Sequence, residues 1–426
     1  MTRNAIALAL TSASLTLVLA AAPAANPVID WNRTLLTIVR TPGAQPPTIH
    51  TTRSFAILHA AIFDAVNSIS RAYNPYLTQI EGAPPSASKE AAAAAAAHEV
   101  LVNLYPGFQS LLDTQLEQSL ASVADEAAKA EGVQIGQMVA DRVLLARSQD
   151  GANAPQVPFI FGTAPGDYQS TPPNFPKQPQ LTQWPGVTPF ALEKASQFRP
   201  GPPPALTSDT YTNSFDEVKS LGISNSATAT PDQAVTGRFW NGAIQNYWNE
   251  IAQTAALDRK LKTAETARLF ALLNLSLADT VIAFYDAKYT YRFWRPVTAI
   301  REAATDGNPE TTADPNWLPE TGNTSPDPSY PGAHAVISAA ASRVLIAFFG
   351  DHFDLPVTSE TLPGVTRSFR RFSDASREAT FSRIFAGQHF RFDLTAGRRL
   401  GNEVAGFVLD HQLERRDDVD SGGDDE

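Results

Sequence analysis

The chain has 426 residues, 43% of them hydrophobic, enough to bury a large core in one domain or two. A net charge of -11 argues against nucleic acid as a partner. The absence of cysteine excludes disulfides, thiolate chemistry and Cys-built zinc sites, and Met1 and Met138 are the only other sulfurs an oxidant could reach.

Arg3 precedes an apolar run from Ala5 to Ala22, with small-residue cleavage sites around Ala20 to Ala25. Residues 1–25 thus read as a secretory signal peptide, which predicts a secreted protein, extracellular or periplasmic. No other run is expected to reach transmembrane length, so no membrane partner is expected.

Residues 26–150 read as an N-terminal helical part. Apolar residues recur every three or four positions from Arg53 to Val66. Further helices are expected at Lys89–Leu104, Phe108–Ser122 and Asp125–Ser148. The alanine run 91–97 predicts a close-packing face.

Residues 151–204 change character. They hold 13 of the 32 prolines, which remove backbone donors and fix φ, so neither regular helix nor central strand is expected. Phe159, Phe161, Tyr168, Phe175, Trp184 and Phe190 predict an ordered, packed loop region of the kind that walls a binding site.

Helical periodicity resumes in a catalytic bundle over residues 205–412. Segments are expected at Ser208–Leu221, Pro231–Trp248, Leu257–Tyr289, His334–Phe349 and Arg367–His411, the last broken near its histidine. Little alternating strand pattern is evident, so the fold class is all-α, built of helical bundles. Residues 413–426 read as an acidic, disordered tail. From His411 onward, seven acids against two bases supply -5 of the net charge.

The chemistry gathers in the last third. Lys288 precedes Arg295-Pro296 by seven positions, close to two helical turns, which would place both cations on one face. Alone they also read as solvated helix-end cations. Pro331-Gly332-Ala333-His334 opens an apolar helix whose free N–H groups would seat an anion, with His334 placed for proton transfer. Arg383 follows, then His389 and Asp393 at an i, i+4 spacing in which the carboxylate would fix the imidazole tautomer. One Lys, two Arg and two His around one point form a cage for an oxyanion.

This order and spacing, Lys288-x6-Arg295-Pro296, Pro331-Gly332-Ala333-His334 and Ser382-Arg383-x5-His389-x3-Asp393, resembles the three-part motif of vanadium-dependent haloperoxidases. The type-2 phosphatidic acid phosphatase superfamily shares it. Pro47-Thr48-Ile49-His50, His59-Ala60-Ala61 and Phe198-Arg199-Pro200 extend the likeness over most of the chain. The resemblance implies bundles of the haloperoxidase and acid phosphatase type with vanadate as cofactor. It implies hydrogen peroxide, halide and a small organic acceptor as partners. His389 would ligate the metal and Asp393 would orient its ring. Lys288, Arg295, Arg383 and a main-chain N–H at Gly332 or Ala333 would bind the oxygens. His334 would be the acid–base group, and Lys288 would polarise the peroxide.

One departure stands out. The family's middle piece is usually Pro-Ser-Gly-His, and Gly332-Ala333 replaces Ser-Gly. A lost hydrogen bond to a charged oxygen is worth roughly 1.5–3 kcal/mol. Two other functions remain open. In an acid phosphatase on the same scaffold, His389 would attack phosphorus and His334 would protonate the leaving group. The third is a non-catalytic oxyanion-binding relative. His50, His59 and His98 read as packing residues, and Asn32-Arg33-Thr34 and Asn323-Thr324-Ser325 as glycan acceptors.

Overall fold

The computed structural model describes residues 26–44 and 51–416. The expected signal peptide, His50 and the tail beyond residue 416 lie outside the described residues. The first bundle comprises α1 (Pro27–Arg40), α2 (Thr51–Ser70), α3 (Lys89–Leu104), α4 (Gln109–Ala121) and α5 (Glu126–Arg147). Asn26 caps α1 by accepting from the Val28 N–H, with Pro27 at the first helical position, where its missing donor costs nothing. Ser88 caps α3 in the same way through the Ala91 N–H, 3.1 Å away.

The alanine run of α3 is buried over Ala91–Ala97 and receives α5 at very close range. The approach is set by Gly132 and Gly136: a Cβ at Gly136 would sit 2.4 Å from the Ala92 carbonyl oxygen. Beside this interface, buried Asn32 receives His59 Nε2 at 2.9 Å, which corrects the reading of Asn32 as a glycan acceptor. Asn323 is exposed.

The second bundle holds α6 (Asp209–Leu221), α7 (Pro231–Phe239), α8 (Ile244–Asp258), α9 (Thr263–Tyr291), α10 (Pro296–Arg301), α11 (Ala333–Phe349), α12 (Phe372–Phe385) and α13 (Arg391–His411). The spine is α9, which packs on α2 to one side and on α11 and α13 to the other. Contrary to expectation, it is long and apolar enough to cross a membrane by length and composition, the one such helix among the described residues, and nearly all of that window is buried inside the protein. A helix apolar all round has its place at the centre of a large core.

Three boundaries differ from those expected. The segment 231–248 is two helices, separated at Asn241-Gly242, where a Cβ on Gly242 would lie 2.8 Å from both Glu360 Oε2 and the Tyr247 hydroxyl. The next helix starts at Thr263, after Lys260 turns the chain at positive φ. Residues 366–371 are strand: β1 (His352–Thr358) pairs antiparallel with β2 (Thr366–Arg371). Phe353, Leu355 and Val357 point inward in the period-two alternation that sequence reading passed over. This hairpin is the single named sheet among the described residues, and the fold is all-α in class.

Between residues 151 and 204 regular structure is limited to a 3-10 turn at Trp184–Gly186. Buried Asp279 of α9 anchors the segment by accepting the N–H groups of Phe190, Ala191 and Leu192 at 2.5, 2.7 and 2.8 Å. A loop without its own ladder must satisfy its backbone elsewhere, and here the spine helix does so.

Because the α3–α5 contact is backbone against side-chain stubs, it has no slack. Gly136→Val should destabilise the protein by about 1–3 kcal/mol, seen as a lower denaturation midpoint with an unchanged slope.

Candidate active site

Lys288 lies in the last turn of α9, and the chain does not continue as helix to Arg295 as expected. Arg292 adopts the left-handed conformation (φ 49°) and returns its N–H to the Lys288 carbonyl at 2.8 Å. Phe293 and Trp294 then bury in the core, and Arg295 stands just before α10. Chain reversal, not helical periodicity, brings the two cations together. The Pro-rich segment pins this turn, with the Trp294 N–H on the Gly166 carbonyl at 2.9 Å.

The His389–Asp393 contact is likewise not a helical i, i+4 pair. His389 precedes α13, and Asp393 sits in its first turn. Asp393 Oδ2 accepts from His389 Nδ1 at 3.0 Å, from the Phe390 N–H at 3.1 Å and from the Ser329 hydroxyl at 2.5 Å. The carboxylate caps the helix and orients the ring at once. With Nδ1 carrying the proton, Nε2 keeps its lone pair and receives Arg295 Nη1 at 3.2 Å. Burial, then the charges of Arg295, Lys288 and Arg383, holds His389 well below the usual imidazole pKa. Burial pushes Asp393 up to about 6.

His389, His334, Ala333, Arg295 and Arg383 share one cleft of about 950 Å³, with the Pro-rich segment contributing Asn174 and Gln180 to its wall. Arg383, near the end of α12, is buried; Nη1 donates to Asn241 Oδ1 at 3.1 Å, and Nε has no partner. Burial and the nearby Arg295 lower its pKa to about 9. His334 Nε2 lies 2.8 Å from the Trp240 carbonyl, which places the proton on that nitrogen. Burial first, then Arg383, keeps His334 neutral. The break between α7 and α8 therefore supplies both Asn241 and the Trp240 carbonyl.

Two expected donors are engaged elsewhere. The Gly332 N–H goes to the Asp393 carbonyl at 3.0 Å, which leaves the N–H groups of Ala333 and His334 to open α11, and no side chain caps that helix. Lys288 is fully buried behind the cleft wall, its ammonium held by Asp327 Oδ1 at 3.3 Å, the Ser329 carbonyl at 3.1 Å and the Pro328 carbonyl. Asp327 also takes Arg295 Nη2 on Oδ1, and its carbonyl takes Arg295 Nε at 2.8 Å. Burial alone would raise the Asp327 pKa, but Lys288 and Arg295 hold its carboxyl below the ordinary value.

Sequence reading missed Asp327, Ser329, Asn241, Gln180 and Gln388. Each lies in irregular chain, where no period marks it. The acid at position 327, set between two prolines just before Pro331-Gly332-Ala333-His334, was the one available signal.

Among the described residues no three His, Asp or Glu converge as a metal cage. What converges on the cleft is a set of N–H donors and two neutral imidazoles. An unpartnered buried guanidinium nitrogen beside a helix N-terminus and an imidazole lone pair is a donor set that fits a tetrahedral oxyanion such as vanadate or phosphate.

Residues 268–418 match the family model of the VCPO second helical-bundle domain. A vanadium chloroperoxidase of Curvularia inaequalis is 26% identical over 60% of this chain and 50% of its own length. The chain thus spans about half of that curated relative. A bacterial vanadium-dependent iodoperoxidase structure superposes with TM-score 0.77 at 24% identity, covering 92% of this chain and 96% of that one. A holo-type bacterial vanadium-dependent chloroperoxidase gives TM-score 0.70 at 19% identity, with 90% and 97% covered.

The geometry makes His389 a neutral imidazole whose Nε2 carries no proton. Its ring should titrate well below the about 6.5 of a free imidazole, with the proton on Nδ1 at neutral pH. Nitrogen-15 shifts of labelled histidine check this, and charging near that value would contradict it. The C-terminal bundle thus matches the model of the VCPO second helical-bundle domain, and the described chain shares the fold of bacterial vanadium-dependent haloperoxidase structures.

Proposed function

We propose that this protein is an exported, vanadate-dependent haloperoxidase that oxidises halide with hydrogen peroxide for transfer to a small organic acceptor. The observation that carries the reading is His389 Nε2: a deprotonated ring nitrogen, locked in orientation by Asp393, set among donors suited to anionic oxygens. Export rests on Arg3 and the apolar run Ala5–Ala22.

In this reading His389 offers its lone pair as the metal ligand, and the Asp393 carboxylate keeps the ring proton on Nδ1. Arg383 Nε, Arg295 and the Ala333 N–H hold the oxygens. Arg295 gives up its contact with Nε2 when the site fills, since one lone pair cannot serve both. Vanadate held there would supply Lewis-acid activation of peroxide, which takes two electrons from the halide while the metal keeps its oxidation state. His334, whose Nε2 proton is committed to the Trp240 carbonyl, accepts or returns a proton at Nδ1. Lys288 supports the site by its charge and by fixing the 327–329 segment, behind the wall that faces the ligand.

Bromide oxidation by peroxide, read by halogenation of a monochlorodimedone-type acceptor, should require added vanadate and vanish in His389→Ala. Ester hydrolysis inhibited by vanadate, without halogenation, would instead assign the site to phosphate chemistry. Gly332→Ser tests the departure in the middle motif. A Cβ there would meet Leu394 Cδ2 at 2.8 Å, a contact that a leucine rotation relieves, and its hydroxyl adds a donor. Vanadate affinity should rise about tenfold to a hundredfold in a binding titration.

A further inference from the structure

The cleft carries an acid that the oxyanion reading does not call for. Asp327 is buried at 3% exposure, and its carboxylate is saturated by donors. Oδ1 takes Lys288 and Arg295, and Oδ2 takes Gln180 Nε2 at 2.9 Å and the Tyr285 hydroxyl at 3.4 Å. The segment around it is pinned from both sides. The Gln180 N–H reaches the Pro326 carbonyl at 2.9 Å, and the Ser329 N–H reaches the Phe293 carbonyl at 2.9 Å. Asp327 is therefore a fixed part of the wall, not a side chain poised to swing away.

Its effect is on charge. Three cations, Lys288, Arg295 and Arg383, face two carboxylates, Asp327 and Asp393, with both histidines neutral. These five groups sum to one positive charge, and Arg40, paired with Glu250 and Glu360 in the same cleft, adds one positive charge against two negative. Of the three cations, Arg383 alone has no carboxylate partner, and its free Nε marks where an anion gains most. In a buried site the interaction with a ligand scales with ligand charge, and a fixed carboxylate repels a dianion twice as strongly as a monoanion.

We infer that Asp327 is a specificity-determining residue that sets the cleft to take a singly charged, protonated tetrahedral oxyanion at the Arg383–His389 end in preference to a dianion. This rests on the oxyanion reading of the same site and adds to it the protonation state of the ligand. The preference is a property of the resting protein, so it is read by binding alone.

The test is calorimetric titration of the full chain with inorganic phosphate and with sulfate between about pH 6 and about pH 8, the range in which a phosphate group loses its second proton. Sulfate stays a dianion throughout and so corrects for titration of the protein. In the wild type, phosphate should bind more tightly than sulfate, and the ratio should grow as pH falls. Asp327→Asn should tighten sulfate by about tenfold or more and remove most of that pH dependence. A double variant, Lys288→Met with Asp327→Asn, keeps the net charge and should keep the wild-type ratio, which separates charge from local packing. Should Asp327→Asn fail to fold, the wild-type series still decides. Sulfate bound as tightly as phosphate at every pH overturns the role of Asp327 and leaves the oxyanion site standing. No binding of either ion overturns the site itself.

Discussion

Asp393 is the junction on which the site is built. One carboxylate oxygen joins the Ser329 hydroxyl, the His389 ring and the N–H at the start of α13, and its main-chain carbonyl takes the Gly332 N–H at the start of α11. Two helix starts and an extended loop are thereby held in one register by a single fully buried residue. Burying a carboxylate is unfavourable unless donors surround it, and here three donors from different segments gather on Oδ2 while Oδ1 has no partner. Those segments must converge for Oδ2 to be satisfied, so the same contacts that stabilise the fold also aim the imidazole.

The second feature is the balance of buried charge. A cage of three cations would be unstable without a counter-charge, and the protein supplies one in Asp327, which binds Lys288 and Arg295. The site is preassembled without waiting for a ligand to neutralise it, as electrostatic preorganisation requires. It also divides the labour: Lys288 and much of Arg295 maintain structure, while Arg383, left without a carboxylate, faces the cleft.

The remainder of the molecule fixes the positions of these few groups. The spine helix α9 carries Lys288 at its end, is buried by both bundles, and holds the Pro-rich segment through Asp279. That segment in turn brings Gln180 against Asp327 and seals the turn at Arg292–Trp294. The alanine face of α3, gripped by the glycines of α5, gives the first bundle a rigid contact on which α2 and the spine can rest.

Local patterning determined much of this. Period-3.6 apolar residues made the helices of residues 51–147 legible to within a residue or two at most ends. Proline density marked the irregular segment, and the motif residues carried the family likeness. The tertiary structure alone decided how the cations are used. Arg295 and His389 reach the site through chain reversals, because Arg292 leaves the helix at positive φ and α13 begins only after His389. The hydrogen bond that takes the Gly332 N–H, the sequestration of Lys288 and the partnership with Asp327 all link helix ends and loops about 32 to 61 positions apart. Such contacts have no period and no fixed spacing. They follow from the requirement that each buried polar group find a partner, which only the assembled fold can satisfy.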